Sequence, residues 1–351
     1  MSEAGVTRQG LTGGRPGREA RFGNGMDGAT DRHRRAAGPD GKRATGRAEV
    51  VPPAAFTSYY GRPVIKPPAW QARDIAGYLF LGGLAGAGSV LTAGAELTGR
   101  RATARAMKLS SLASVSLSAA ALIHDLGRPE RFSHMLRVFK PTSPMSVGSW
   151  LLAGYGPLAG AAALSELTGL LPRAGRAATC GAAAFGPAVA AYTAALLSDT
   201  AVPAWHEGHR AMPYLFTASA ATAAAGMGLL TGPLAENRPA RRLAVLGIAA
   251  ELAAARAVRR QAGRSAETYE RGLAGRLLRL AEGLGVAGAA GAALLGGRAR
   301  PVAALAGAAL LAGSACTRFG VFHAGLASAR DPQYTLRPQR ERLTAAGRAG
   351  S

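Results

Sequence analysis

From about residue 75 onward the chain alternates between long apolar runs and short polar gaps, and before that point there is no long apolar run. A helix crossing a hydrocarbon core about 30 Å thick needs roughly 20 mainly apolar residues. Runs at 75–97, 107–124, 147–171, 177–197 and 212–234 meet that length or come close to it. Three more, at 243–255, 280–297 and 302–319, are shorter and read as tilted or interfacial helices. The pattern predicts an all-α polytopic membrane protein with about eight transmembrane helices, an even number of crossings and both termini on one side.

The segmentation matters because the averages mislead. Mean hydropathy is only +0.09, which averages a polar N-terminal stretch with an apolar remainder. Residues 1–72 are rich in Arg, Gly, Asp and Pro and read as a basic, disordered extension with too little apolar surface to fold alone. Residues 73–323 form the predicted transmembrane domain and 324–351 a polar C-terminal tail. Arg34-Arg35 is followed by AAGPDGKRATGR rather than an apolar stretch, so a twin-arginine leader is not indicated.

The net charge is +22. A nucleic-acid binder would cluster such charge to neutralise phosphates. Here the cations fall in the tail and in the gaps between apolar runs, as in membrane proteins, so no nucleic-acid partner is expected. Lys and Arg are almost evenly divided between the two sets of loops, Arg100, Arg101, Arg105 and Lys108 standing on one side and Arg128, Arg131, Arg137 and Lys140 on the other. The basic tails tip both termini towards the cytoplasm. The apolar runs are dominated by Gly and Ala, which let helices approach closely in lipid; a high-GC genome gives the same bias, and no single GxxxG is read as a dimer motif.

Two cysteines, Cys180 and Cys316, lie in separate apolar runs. They exclude a four-cysteine iron–sulfur cluster or zinc ribbon in this chain. Of the six histidines, His33 is in the tail, His134 in a gap, and His206 and His209 share one connector. That leaves His124 and His323, too few for two transmembrane haems.

The densest polar stretch, HDLGRPERFSHMLRVFKPTSPMSVGSW at 124–150, joins the second and third apolar runs. His124 and Asp125 end an apolar helix, where ionisable groups are costly unless paired or facing a polar cavity. Asp125 could fix one tautomer of His124 and leave the other ring nitrogen for a ligand; simple helix capping at the interface explains the pair as well. LLSDTAVPAWHEGHR at 196–210 gathers Asp199, His206, Glu207 and His209 at the same face. It has no third His or Cys for a metal, and is expected beside the 124–150 loop. Among carboxylates in the apolar runs, Glu166 reads as the deep one and a candidate proton carrier, with Glu96 and Glu251 nearer helix ends.

LGRPERF (126–132) followed by PTSPMSVGSW (141–150), together with YLFLGGLAGAGS (78–89), resembles the signature of the NrfD family, which includes the membrane subunit of polysulfide reductase. The resemblance covers about residues 70–329. It implies two four-helix bundles, no haem or iron–sulfur cluster in this chain, a quinone (menaquinone or ubiquinone) bound at one face, and an iron–sulfur subunit docked to a catalytic subunit. The function implied is electron exchange between the iron–sulfur partner and membrane quinone, in some members coupled to proton movement. Family association favours a molybdenum enzyme such as formate dehydrogenase, in anaerobic respiration, as the catalytic partner.

A quinone site needs hydrogen bonds to the carbonyl oxygens, a proton donor and an apolar slot. On that implication His124 and Asp125 are the proton-active candidates, with Glu166 further along a proton path. Arg128 would steady an anionic, half-reduced quinone. Tyr78, Ser146 and Trp150 would line the slot, although tyrosine and tryptophan at this depth more often form an aromatic belt. Two other classes compete. Secondary transporters often show inverted repeats and helices broken at the midplane; the helices here are Gly-rich, with no convincing internal repeat. A bare membrane anchor would not need the polar loop.

Overall fold

The computed structural model describes residues 5–7, 10–12, 64–68, 70–125 and 134–349. The chain divides into two units, 1–54 and 55–351. In the first, β1 (Gly5–Thr7) and β2 (Gly10–Thr12) pair antiparallel, Val6 opposite Leu11. Every other described regular element is helical.

The second unit holds eight long helices: α1 (Ala72–Leu97), α2 (Arg101–Asp125), α3 (Pro144–Thr168), α4 (Pro172–Ser198), α5 (Met212–Thr231), α6 (Arg238–Gln261), α7 (Gly272–Leu294) and α8 (Arg300–Arg330). Among the described residues seven of these are long and apolar enough to cross a membrane. The exception is α6. Its 24 residues suffice in length, but Arg238, Arg241, Arg242, Glu251, Arg256, Arg259 and Arg260 interrupt it. The protein is thus an all-α, multi-pass membrane protein.

Proline at the first turn of α3, α4, α5, α6 and α8 explains where several helices begin, because an N–H without an intrahelical partner is lost there at no cost. Helix ends are closed by specific groups. Arg241 donates to the Ala292 and Ala293 carbonyls at the end of α7, at 2.7 and 2.6 Å. Arg300 does the same for α5, donating to the Leu229 carbonyl at 2.5 Å and to that of Leu230. Cations are favoured at those C-termini. Glu236, in the turn before α6, accepts the Thr103 backbone N–H at 2.7 Å and that of Ala102 at 3.4 Å, so it caps the start of α2. Burial pushes its carboxyl pKa up, but these hydrogen bonds and the nearby Arg100 charge outweigh that and hold it below the usual carboxylate range.

The helices form two four-helix bundles. In each, the first helix packs on the second and the fourth, and the third packs on the second and the fourth. Bundle one is α1–α4 and bundle two is α5–α8. They meet through α1 against α5 and α8, and α4 against α5. The arrangement therefore repeats although the sequence shows no repeat. Glycine marks the same crossing in both: Gly86 of α1 abuts Gly186 of α4, and Gly226 of α5 abuts Gly307 of α8. A Cβ on Gly226 would lie 2.7 Å from the Gly307 carbonyl oxygen and 3.0 Å from the Leu310 Cβ, so only glycine permits that approach. The glycine-rich runs serve contacts within the chain.

Beyond the long helices, α8 runs seven residues past the predicted boundary at 323, and the predicted tail is helical over α9 (Gln333–Ala349). A short helix at Pro203–Glu207 joins α4 to α5.

Candidate functional site

The helices alternate in direction, so the starts of α1, α3 and α5 and the ends of α2 and α4 share one face. There a cavity of about 290 Å³ opens between α1, α2, α3 and α4. Its walls are mostly apolar, among them Trp70, Ile75, Leu122 and Leu152. Its polar groups are Tyr78 from α1, Asp125 from α2, Ser149 from α3 and Tyr192 from α4. A mainly apolar slot with a few convergent polar groups is the usual character of a small-molecule site.

Each polar group is held by its helix. The Tyr78 and Tyr192 hydroxyls hydrogen-bond to each other across the α1–α4 contact. Tyr78 is 1% exposed and Tyr192 8%. Since one hydroxyl of such a pair donates to the other, the pair has a single O–H left to donate elsewhere. Below it, Ser118 anchors α2 to the Tyr78 carbonyl at 3.1 Å. Ser149 Oγ donates to the Met145 carbonyl at 2.9 Å. The Asp125 carboxylate accepts the Gln71 backbone N–H and lies close to Asp74. Asp74 is buried in the first turn of α1 and holds His124 Nδ1 at 3.0 Å. The His124 side chain is 65% exposed, so its partner is Asp74 rather than Asp125, and its other nitrogen is open to solvent.

The structure thus brings Tyr78 and Asp125 to one cavity and sets His124 one carboxylate away. Ser146 and Trp150 do not line it. Ser146 Oγ donates to the Val138 carbonyl at 3.1 Å and accepts the Lys140 N–H at 3.0 Å, tying down the preceding loop. Trp150 is exposed and packs edge-on against Phe139. Arg128 and the LGRPERF segment lie outside the described residues.

Glu166 is not deep. It stands two residues from the end of α3, about 26 Å along the helix from Ser149 at 1.5 Å per residue. There it pairs with Lys108 at 2.9 Å, and Lys108 also reaches Glu96 at 3.2 Å. Lys108, read from the sequence as a loop cation, is buried inside α2 as the centre of this pair of bridges. The deep carboxylate is instead Glu251, 6% exposed at the middle of α6, accepting from Thr317 at 2.7 Å.

The 199–211 connector sits at the same face as the cavity. Trp205, fully buried, stacks on Trp70 at 6.0 Å and donates Nε1–H to the Val321 carbonyl at 2.9 Å. Trp70 is therefore a wall braced from behind. Tyr269 donates to the Ala204 carbonyl at 2.8 Å and fixes the short helix; burial, with the Glu207 charge adding to it, pushes its phenol pKa up. His206 and His209 stack, with Nδ1 of each on a backbone carbonyl. Among the described residues no group of three or more metal-ligating side chains occurs.

Tyr192, Ser149 and Trp70 were missed in the sequence. A lone tyrosine in the Ala-rich run AAYTAALL was the signal for the first of these.

The family model for polysulfide reductase of the NrfD type matches residues 56–330. No curated protein matches the chain.

Proposed function

Because the chain belongs to the polysulfide reductase (NrfD-type) family, and so is a membrane subunit of a redox complex, we propose that it exchanges electrons between an iron–sulfur partner and membrane quinone at the Tyr78–Tyr192–Asp125 cavity. The single observation that carries this reading is the cavity itself. It is an apolar slot between transmembrane helices at one face, lined by the Tyr78, Tyr192 and Ser149 hydroxyls and the Asp125 carboxylate.

The residues present fit a quinone ring. Leu79, Leu152 and Trp70 supply flat apolar walls. The free O–H of the tyrosine pair is the donor to a ring oxygen; Ser149, whose one O–H goes to the Met145 carbonyl, lines the slot. A quinone, when bound, accepts or releases electrons together with protons. The protein's part is to bind the ring, exclude water from it and carry protons. Asp125 is the proton-holding group on the cavity wall. Asp74 and His124 continue from it to solvent, His124 presenting its free nitrogen outward. Glu166 stands at the opposite end of α3 and is left out of this path.

The iron–sulfur subunit, and behind it a catalytic subunit, would dock on the same face, where the short connectors lie close to the cavity. The anchor reading is disfavoured by the cavity. The transporter reading is disfavoured by family membership.

The test is a titration of purified, folded protein with a fluorescent quinone analogue. Saturable quenching at about one site per chain, weakened in Asp125→Asn and Tyr192→Phe, supports the assignment. No saturable quenching with the iron–sulfur partner present rejects it.

A further inference from the structure

We propose that a second cavity, sharing no lining residue with the first, binds an anionic phospholipid, with an acyl chain along α5 and α6 and the phosphodiester at Arg100, Arg238 and Arg242. A groove of about 670 Å³ opens where α1, α4, α5 and α6 meet, walled by such residues as Val90, Leu91, Pro187 and Leu246. Its volume is within the roughly 300–1,000 Å³ of sites that take a small molecule. It shares Thr217, Ala221, Leu243 and Leu246 with an apolar cavity of about 610 Å³ between α5 and α6. The combined lining follows α6 from Pro239 to Ala257. That is about 27 Å at 1.5 Å per residue, close to the hydrocarbon thickness of a bilayer, about 30 Å. A lipid-facing groove of that depth is filled by an acyl chain unless the helices close it.

Charge decides which lipid. The three arginines all lie at one end of the groove, level with the start of α6. Two other arginines on that face are occupied: Arg241 and Arg300 close helix C-termini. Arg238 and Arg242 are exposed, and among the described residues no hydrogen bond or ion pair engages either of them. They stand four residues apart on α6, so both project to the same side. Among the described residues neither lining includes a carboxylate; Glu236, by Arg100, already accepts two backbone N–H groups of α2. Three arginines and no carboxylate in the lining leave a positive mouth on an apolar slot. A phosphodiester head group on an acyl tail satisfies both halves, and basic pockets between transmembrane helices take such head groups. A zwitterionic lipid brings its own cation and gains less there. A partner helix would need carboxylates at this depth.

The experiment uses delipidated full-length protein in detergent, with phosphatidylglycerol as the probe, read by native mass spectrometry and thermal unfolding. The expected result is one saturable phosphatidylglycerol adduct per chain with a rise in Tm. Phosphatidylcholine and inorganic phosphate should do neither. Arg238→Gln/Arg242→Gln should unfold at the wild-type temperature without lipid and bind phosphatidylglycerol at least tenfold more weakly. Ala221→Trp, which fills the groove and keeps the arginines, should also lose the adduct. An equal response to phosphatidylcholine overturns the proposal, as does inorganic phosphate reproducing the shift, or displacement of the lipid by a quinone analogue.

Discussion

Bundle one and bundle two share a helix arrangement and differ in where their polar groups lead. In bundle one, Tyr78, Tyr192, Ser149 and Asp125 reach a cavity open at one face. In bundle two Glu251 and Thr317 line a space of only about 20 Å³. Ser219 and Ser314 bond at 2.8 Å, and Thr317 donates to Glu251 at 2.7 Å. Arg318, fully buried, donates to the Phe216 carbonyl at 2.5 Å with its guanidinium 3.9 Å over the Phe216 ring. Gly83 of α1 leaves room for that side chain where the bundles meet. Buried polar groups in lipid must be satisfied inside the protein or face a ligand. Bundle two meets only part of that demand internally, since Arg318 Nε and Nη1 and Glu251 Oε2 have no hydrogen-bond partner among the described residues, whereas bundle one turns its polar groups to an open cavity, the place proposed for the quinone.

The contrast can be broken hardest at Arg318. Arg318→Ala leaves the Phe216 carbonyl and Glu251 without their cation, and should destabilise the protein by about 3–5 kcal/mol. Loss of folded protein on size-exclusion chromatography checks this. An Arg318→Met/Glu251→Gln double variant should recover part of the loss.

At the crossings, Gly186→Leu should cost at least the about 1–3 kcal/mol of core overpacking, read as a lower Tm, because the Gly86 backbone has nowhere to go. Tyr192→Phe removes one hydrogen bond worth about 0.5–1.5 kcal/mol. It should weaken quinone-analogue binding roughly three- to tenfold, whereas Ser314→Ala in bundle two should leave that affinity unchanged.

Smaller still, Glu166→Gln should lower stability by about 1 kcal/mol or less, as its bridge to Lys108 is partly exposed, with quinone binding unaltered. Glu236 sets the smallest expectation. Its folded pKa is depressed, so the unfolded chain binds more protons in that range. Its contribution is therefore complete above the ordinary value of 4.5 and fades as pH falls below it. Glu236→Gln should flatten that part of a Tm-against-pH curve.

The helices were legible because a 20-residue apolar run has few other uses. Their ends were less so. The predicted start of α7 at 280 was late because Arg276 and Arg279 read as loop, while the helix begins at Gly272. The predicted end of α8 at 319 was early because Arg318 and His323 look like a boundary, yet Arg318 lies in the core. Tyr78 and Asp125 could be found from the sequence, since each stands out at a helix end beside a recognisable motif. Tyr192 depends on a partner 114 residues away, and no local pattern carries such a pairing. Glu166 and Glu251 exchanged roles for a related reason. Depth was judged from the apolar run around each, and the arginines flanking α6 hid how central Glu251 is.

The most direct test of the central claim is photo-crosslinking with an azido-quinone in membranes, followed by peptide mapping. The account predicts label on the peptides carrying Trp70 to Leu79 and Met145 to Leu152, lost in Tyr192→Phe/Asp125→Asn. Label confined to bundle two, or to the groove lined by Leu243 and Leu246, would contradict it.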